Sequence, residues 1–344
     1  MLRKILQTGK KILVSSKSVE TFLNENKSVK FVAERVVNMR EDYPFEYVLE
    51  ITTRCNHYCK MCTFKHKEKT NRGDMSFDHY KKIIDELPVD RELVVEFAGG
   101  GEPLLHKQFL KFLEYGKKKL PKSRFFLSTN GSLLNEKMAK SLIDLELDLL
   151  NIGLNSATRE GHEYMTNAKN FDVIVENSIN FFKIKNKNGF RKPYAFVQII
   201  ECEELKHEIE PFKEFWEPIA DKLHIRHVIA GMDSSVLDSE SLTQIYPNAP
   251  VRYPCALPFR CMAIGANGDL FPCNIFSHEG DPWANIENNT ITEMWGMEKM
   301  KRLRQIHLEG AYYKEKYCKE CDMWNYSGNF FIKNHFKIGN RMWW

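Results

Sequence analysis

Thr52-Thr53-Arg54-Cys55-Asn56-His57-Tyr58-Cys59-Lys60-Met61-Cys62 puts three thiols on one short loop, spaced C-x3-C-x2-C. The loop directly follows an apolar run, Tyr47–Thr53, that reads as a strand. Three thiolates can ligate three irons of a [4Fe–4S] cube, which normally takes four. The missing fourth ligand leaves one iron open to a small molecule, and an open position separates catalytic metal sites from closed structural ones. Zinc is the competing metal, with His57 or His66 as a fourth ligand. Zinc loops, however, usually present two pairs rather than a triplet.

Outward from this loop the chain alternates strands and helices. Ser76 reads as the N-cap of a helix through Tyr80, Ile83, Ile84 and Leu87, closed by Pro88. Strands follow at Leu93–Ala98, Phe125–Thr129, Leu149–Leu154, Ala195–Glu201 and Leu223–Ala230. Helices are expected over Gln108–Tyr115, Asn135–Leu145, Val173–Phe182 and Ile209–Trp216. Such alternation argues for a parallel sheet with right-handed crossovers. Six units are too few for a closed eight-stranded barrel. The expected fold is therefore α/β, a partial (β/α)6 TIM-like barrel, with chemistry at the C-terminal strand ends.

The remaining composition sets limits. Of 344 residues, 43% are hydrophobic and 28% charged, and the net charge of +4 gives no reason to invoke nucleic acid. No stretch approaches the roughly 20 apolar residues that span a bilayer. The basic start, Met1 to Leu6, is broken by Gly9, Lys10 and Lys11 and lacks a cleavage site, so export is not expected. A cytoplasmic location follows as the expectation, where cysteines act as ligands more than as disulfides. Eight of the nine cysteines fall into two clusters. The second comprises Cys255, Cys261, Cys273, Cys318 and Cys321. Cys202 matches neither cluster and reads as a buried apolar thiol.

The C-x3-C-x2-C loop after the first strand of a βα barrel resembles the signature of radical S-adenosylmethionine (SAM) enzymes. Other motifs match in order. Gly100-Gly101-Glu102-Pro103 follows the second strand about 40 residues later and looks like that family's GGEP motif. Ser128-Thr129-Asn130-Gly131 follows the third. The resemblance implies that the open iron chelates SAM and that electron transfer to the sulfonium yields a 5′-deoxyadenosyl radical. It implies SAM contacts from Met61, Gly100, Gly101, Glu102, Pro103 and Asn130. Many relatives carry a serine where Gly153 stands, so Asn155 or Ser156 is the expected substitute. Ile199 and Ile200 are either adenine neighbours or core.

Cys255-x12-Gly268-x4-Cys273, followed by Cys318-x2-Cys321, resembles the SPASM/twitch extension of the same superfamily. Asn267-Gly268 is a type I′ turn signal for a hairpin over residues 264–273. The further cysteines of the full SPASM form are absent after Cys321. The shorter twitch form implies one auxiliary [4Fe–4S] cluster held by Cys255, Cys273, Cys318 and Cys321, a four-cysteine zinc site being the alternative. The expected organisation is a helical cap at 1–45, the barrel at 46–232, a linker at 233–254, the cluster domain at 255–328 and an aromatic basic tail at 329–344.

A cluster with four protein ligands suits electron transfer. The expected reaction is two-electron oxidation of an alcohol carbon in a sugar- or cyclitol-like small molecule, as in the twitch-bearing aminocyclitol dehydrogenases this chain resembles. His227 and Arg226, on the sixth strand, are the expected base candidates. A peptide-modifying maturase of thioether or sulfatase type is the alternative. Expected partners are the small-molecule or peptide substrate and an electron donor such as flavodoxin or ferredoxin.

Overall fold

A computed structural model describes residues 43–62, 73–187, 189–227, 255–274, 281–319 and 321. The cap over 1–45 (except its last three residues), the linker, His66 and the tail lie outside them.

Six parallel strands form where they are expected: β1 (Glu46–Leu49), β2 (Val94–Phe97), β3 (Arg124–Thr129), β4 (Leu149–Gly153), β5 (Tyr194–Glu201) and β6 (Lys222–His227). The connecting helices are α1 (Phe77–Glu86), α2 (Phe109–Lys119), α3 (Glu136–Asp144), α4 (Arg159–Thr166), α5 (Phe171–Lys187) and α6 (Ile209–Trp216). Ser76 caps α1 by accepting from the His79 amide, and Asn135 caps α3 likewise from Met138. Helix α4 is absent from the sequence reading. It is one short element, capped by Thr158 and closed by Asn167 in the left-handed conformation (φ 53°).

The sheet does not stop at β1. Strand β7 (Cys261–Ile264), reached after the short helix α7 (Leu257–Arg260), pairs with β1 in parallel, Glu46 opposite Cys261. Strands β8 (Asp269–Phe271) and β9 (Ala284–Asn285) add antiparallel, and helices α8 (Ile291–Gly296), α9 (Glu298–Leu308) and α10 (Lys316–Lys319) follow. The result is one nine-stranded open sheet, β6-β5-β4-β3-β2-β1-β7-β8-β9. The expected hairpin is present, but its turn is not type I′. Gly268 donates its N–H to the Gly265 carbonyl, and of the pair Asn267-Gly268 only Gly268 has a positive φ (84°). A type I′ turn needs positive φ at both central residues. Here a longer loop leaves Asn267 free of that strain.

The two faces of the strands differ sharply. Tyr47, Leu49, Val95, Phe97, Phe125, Leu127, Leu150, Ile152, Val197 and Ile199 point to the helices and are almost completely buried. By alternation and register, the opposite face carries Glu96, Ser128, Asn151, Gln198, His224 and Arg226. A closed TIM barrel fills its interior with branched apolar side chains. This lumen is mixed instead, since the same alternation also puts Val48, Val94, Phe126, Phe196 and Ile200 on it.

Candidate active site

The cysteine loop leaves the C-terminal end of β1 and is pinned from several sides. Tyr58 and Lys60 donate their backbone N–H groups to the carbonyls of Thr166 and Met165, at the end of α4. Arg54 grips Asp74 through Nε and Nη2, at 2.9 and 2.5 Å, and donates to the Leu105 carbonyl. Asn56 exchanges hydrogen bonds with Asn130 and Ser132 beyond β3. Asn170 contacts His57 on one side and the buried His162 on the other. Burial, with His162 beside it, lowers the His57 pKa to about 4, so this ring is neutral at physiological pH.

The glycine directly before Glu102 has a packing reason. A Cβ on Gly101 would lie 2.2 Å from the Thr52 carbonyl oxygen and 2.7 Å from that of Arg54. Gly100 donates its N–H to Glu50, and Glu102 donates its own to the Arg54 carbonyl. The loop after β2 thus lies directly on the backbone that carries Cys55. Gly101→Ala has no flexible neighbour to displace and must shift the cysteine loop. The expected outcome is a stable fold with iron lost from the first site, read by iron analysis after anaerobic reconstitution.

The Glu102 carboxylate is buried and accepts from Leu104 N, Thr129 Oγ1 and Asn130 N at 3.0, 2.7 and 2.7 Å. A carboxylate offers about four acceptor sites, so one remains for a ligand donor. Pro103 starts the 3-10 turn that Glu102 caps. Met61 packs with Ile200, Met165, Cys202, Leu205 and Tyr164 in a small apolar cluster apart from the main core, whereas Ile199 belongs to the main core.

Asn155 and Ser156 are both engaged within the protein. Asn155 adopts φ 65° and bonds Gln198 through its backbone and side chain. Ser156 is fully enclosed, and its hydroxyl donates to Glu208 at 2.7 Å. Glu208 also receives Ala157 N and Thr158 Oγ1, which fastens the start of α4. At Gly153 a Cβ would meet nothing closer than the Thr129 carbonyl at 3.5 Å, so packing does not require that glycine.

Below these strand ends, Asn151 donates to Ser128 Oγ and Gln198 Oε1, forming a polar chain across β3, β4 and β5. Arg226 shares this lumen face with His224. Burial, then the neighbouring Glu46, raises the Glu96 pKa to about 8, while Arg226 and Arg260 oppose the shift. Burial, then Arg226, lowers the His224 pKa to about 4. His227 ends β6, opposite Glu201 in register. Glu96 and His224 escaped the sequence reading. Stepping back two residues from Arg226, and alternation within Val94–Phe97, would have found them.

The second thiol group lies beside the hairpin. Cys255, Cys273 and Cys318 are buried and Cys321 is half-buried. Burial, then the neighbouring Cys273, Cys255 and Cys321, pushes the Cys318 thiol pKa far up. Those four residues, from three separate stretches of the sequence, therefore share one neighbourhood. Cys261 is fully enclosed on β7, and Cys202 likewise after β5. None of the nine cysteines is in a disulfide.

Among the described residues, no three His, Cys, Asp or Glu side chains already converge as a metal cage. The donor sets nonetheless fit iron–sulfur clusters. Cys55, exposed on its loop, is close enough to Cys62 and Glu102 to interact electrostatically with both, Cys318 does the same with Cys255, Cys273 and Cys321, and all of these thiols are unbridged.

Residues 49–190 match the radical SAM superfamily, and residues 255–322 match the iron–sulfur cluster-binding domain SPASM. Residues 49–190 thus carry a radical SAM domain and residues 255–322 a SPASM domain. These two domains imply SAM and iron–sulfur clusters as cofactors. Among curated relatives, the chain is 32% identical over 157 residues to the tungsten-containing aldehyde ferredoxin oxidoreductase cofactor-modifying protein of Pyrococcus furiosus, covering 45% of this chain and 43% of that one. It is 20% identical over 275 residues to the SAM-dependent 2-deoxy-scyllo-inosamine dehydrogenase of Niallia circulans, covering 80% and 91%. The chain thus spans less than half of the first of these relatives and most of the second. Among solved structures, BtrN in complex with AdoMet and 2-DOIA gives a TM-score of 0.55 at 19% identity, covering 81% of this chain and 92% of that one. Streptococcus suis SuiB bound to precursor peptide SuiA gives 0.60 at 14%, covering 76% and 67%. Both likenesses show the fold, a parallel-sheet partial barrel. Among the described residues no helix is long and apolar enough to cross a membrane.

Proposed function

We propose that this chain is a radical SAM oxidoreductase that oxidises an alcohol carbon of a sugar- or cyclitol-like small molecule by two electrons. The observation that carries the reading is the neighbourhood of Cys255, Cys273, Cys318 and Cys321, a donor set that would close a cluster with protein thiolates alone. Cys55, Cys59 and Cys62 would hold the other cluster and leave one iron open. When bound, SAM supplies the hydrogen-abstracting radical and the closed cluster supplies an acceptor for the second electron.

The chain's own residues hold and orient. Glu102, backed by Thr129 and Asn130, offers its remaining acceptor site beside the cysteine loop. Gly100, Gly101 and Pro103 shape that rim, and Met61 and Ile200 present an apolar face to the adenine. Asn155 and Ser156 act by fixing the end of β4. The polar groups of the lumen, Asn151, Gln198, Glu96 and Arg226, suit a small hydroxylated substrate. Arg226, on the lumen face of β6, would orient a substrate hydroxyl, and His227, next to it in the chain, is the candidate base.

Anaerobic incubation with SAM, dithionite and separate pools of aminocyclitols, sugars and linear peptides tests this reading. The expected result is 5′-deoxyadenosine formed with a cyclitol or sugar product lighter by two hydrogen atoms. Turnover of a peptide alone would overturn it.

A further inference from the structure

His307 lies on α9, fully enclosed, outside the cysteine motifs in sequence. Its ring touches two of the auxiliary cysteines. The Cys255 backbone N–H donates to His307 Nδ1 at 3.2 Å, and Nε2 lies 3.4 Å from Cys318 Sγ. The first contact fixes the chemistry of the second. A backbone N–H can only donate, so Nδ1 must be the acceptor. An imidazole that accepts at Nδ1 carries its proton on Nε2, and that proton points at the Cys318 sulfur. The Tyr312 ring lies against the imidazole at 5.2 Å between centroids.

We propose that His307 is a positioning residue for the auxiliary cluster, holding the Cys255 backbone and donating Nε2–H to the Cys318 thiolate, and thereby raising the cluster's reduction potential. This rests on the assignment of Cys255, Cys273, Cys318 and Cys321 to one cluster. Hydrogen bonds to cluster sulfurs are among the levers that set iron–sulfur potentials, and partners outside the ligand shell commonly orient and tune ligands. The reduced cluster carries one more negative charge than the oxidised one. A donor aimed at its sulfur therefore stabilises the reduced form more. The consequence is a better acceptor for the electron left on substrate.

Two substitutions separate the contacts. The side chain of His307→Asn reaches the Cys255 amide with its carbonyl but stops short of Cys318. The longer His307→Gln can place an N–H where Nε2 stood. Both are made in the Cys59→Ala chain, so that a redox titration followed by electron paramagnetic resonance reads the auxiliary cluster alone. The expected result is full auxiliary iron in both. His307→Asn should show reduction about tenfold less favourable, a shift of ~59 mV to more negative potential for one electron, and His307→Gln should recover most of it. An unchanged potential in His307→Asn with its iron intact overturns the proposal. So does equal iron loss in both variants, which would make His307 merely structural. A Cys59→Ala chain that takes up no cluster at all overturns the four-thiol assignment, and this proposal with it.

Discussion

Cys59→Ala abolishes reductive formation of 5′-deoxyadenosine from SAM, with or without substrate. The substitution is confined to one thiol. Alanine keeps the Cys59 carbonyl, which accepts from Cys62 N at 3.1 Å, and the flanking Tyr58 and Lys60 amides keep their bonds to the end of α4. The loop therefore holds its path while the donor set drops from three thiolates to two. That is too few to retain a cube with a single open iron. Iron content after reconstitution should fall by about half, because one of two cubes is lost. Cys202→Ala is the control. That thiol is fully buried after β5, outside both donor sets, and burial, with Glu204 beside it, pushes its pKa up to about 11. Its removal should leave both iron and cleavage near wild type. Chromatographic quantitation of 5′-deoxyadenosine decides the matter, and cleavage surviving in Cys59→Ala would mean that the first cluster is held elsewhere.

The parts of this architecture legible in the sequence are those carried by short-range pattern. The six barrel strands show as apolar runs, and the caps at Ser76 and Asn135 are local signals read within four residues. The cysteine loop falls at a strand end because the strand before it is visible. What escaped depends on contacts between distant residues. Helix α4 is short and contains Gly161, where a Cβ would lie 2.1 Å from Glu208 Oε1, so its start is fixed by a carboxylate some fifty residues away rather than by propensity. The pairing of β7 with β1 joins the auxiliary region to the barrel across more than 200 residues, and no periodicity encodes it. Gly100-Gly101 was legible as a motif, but not the local reason for Gly101, which is contact with the Thr52 and Arg54 carbonyls. Ser156 likewise reads as a polar strand-end residue, yet its hydroxyl is committed to Glu208. His307 has no local signal at all, since its two partners lie 52 and 11 residues away.

Cys318→Ala should separate the two halves of the reaction, sparing SAM cleavage and stopping substrate oxidation. Cys318 is buried on α10 in the core around the hairpin. Truncating it leaves a void of about one atom, at a cost of about 1 kcal/mol. That is small against the 5–15 kcal/mol typical of a folded domain, so the chain is expected to fold. The change removes one of four closing thiolates while leaving untouched the loop, the β2 rim and the lumen, which belong to other elements. Substrate-independent formation of 5′-deoxyadenosine should therefore match wild type. Product lighter by two hydrogen atoms should disappear, because the electron remaining on the substrate radical loses its acceptor. The ratio of product to 5′-deoxyadenosine, measured under single-turnover conditions by mass spectrometry, reads this directly. It should fall toward zero in Cys318→Ala and stay near one in wild type. Parallel loss of both signals would instead assign the four thiols to holding the fold. A ratio unchanged from wild type would mean that the second electron leaves by another route.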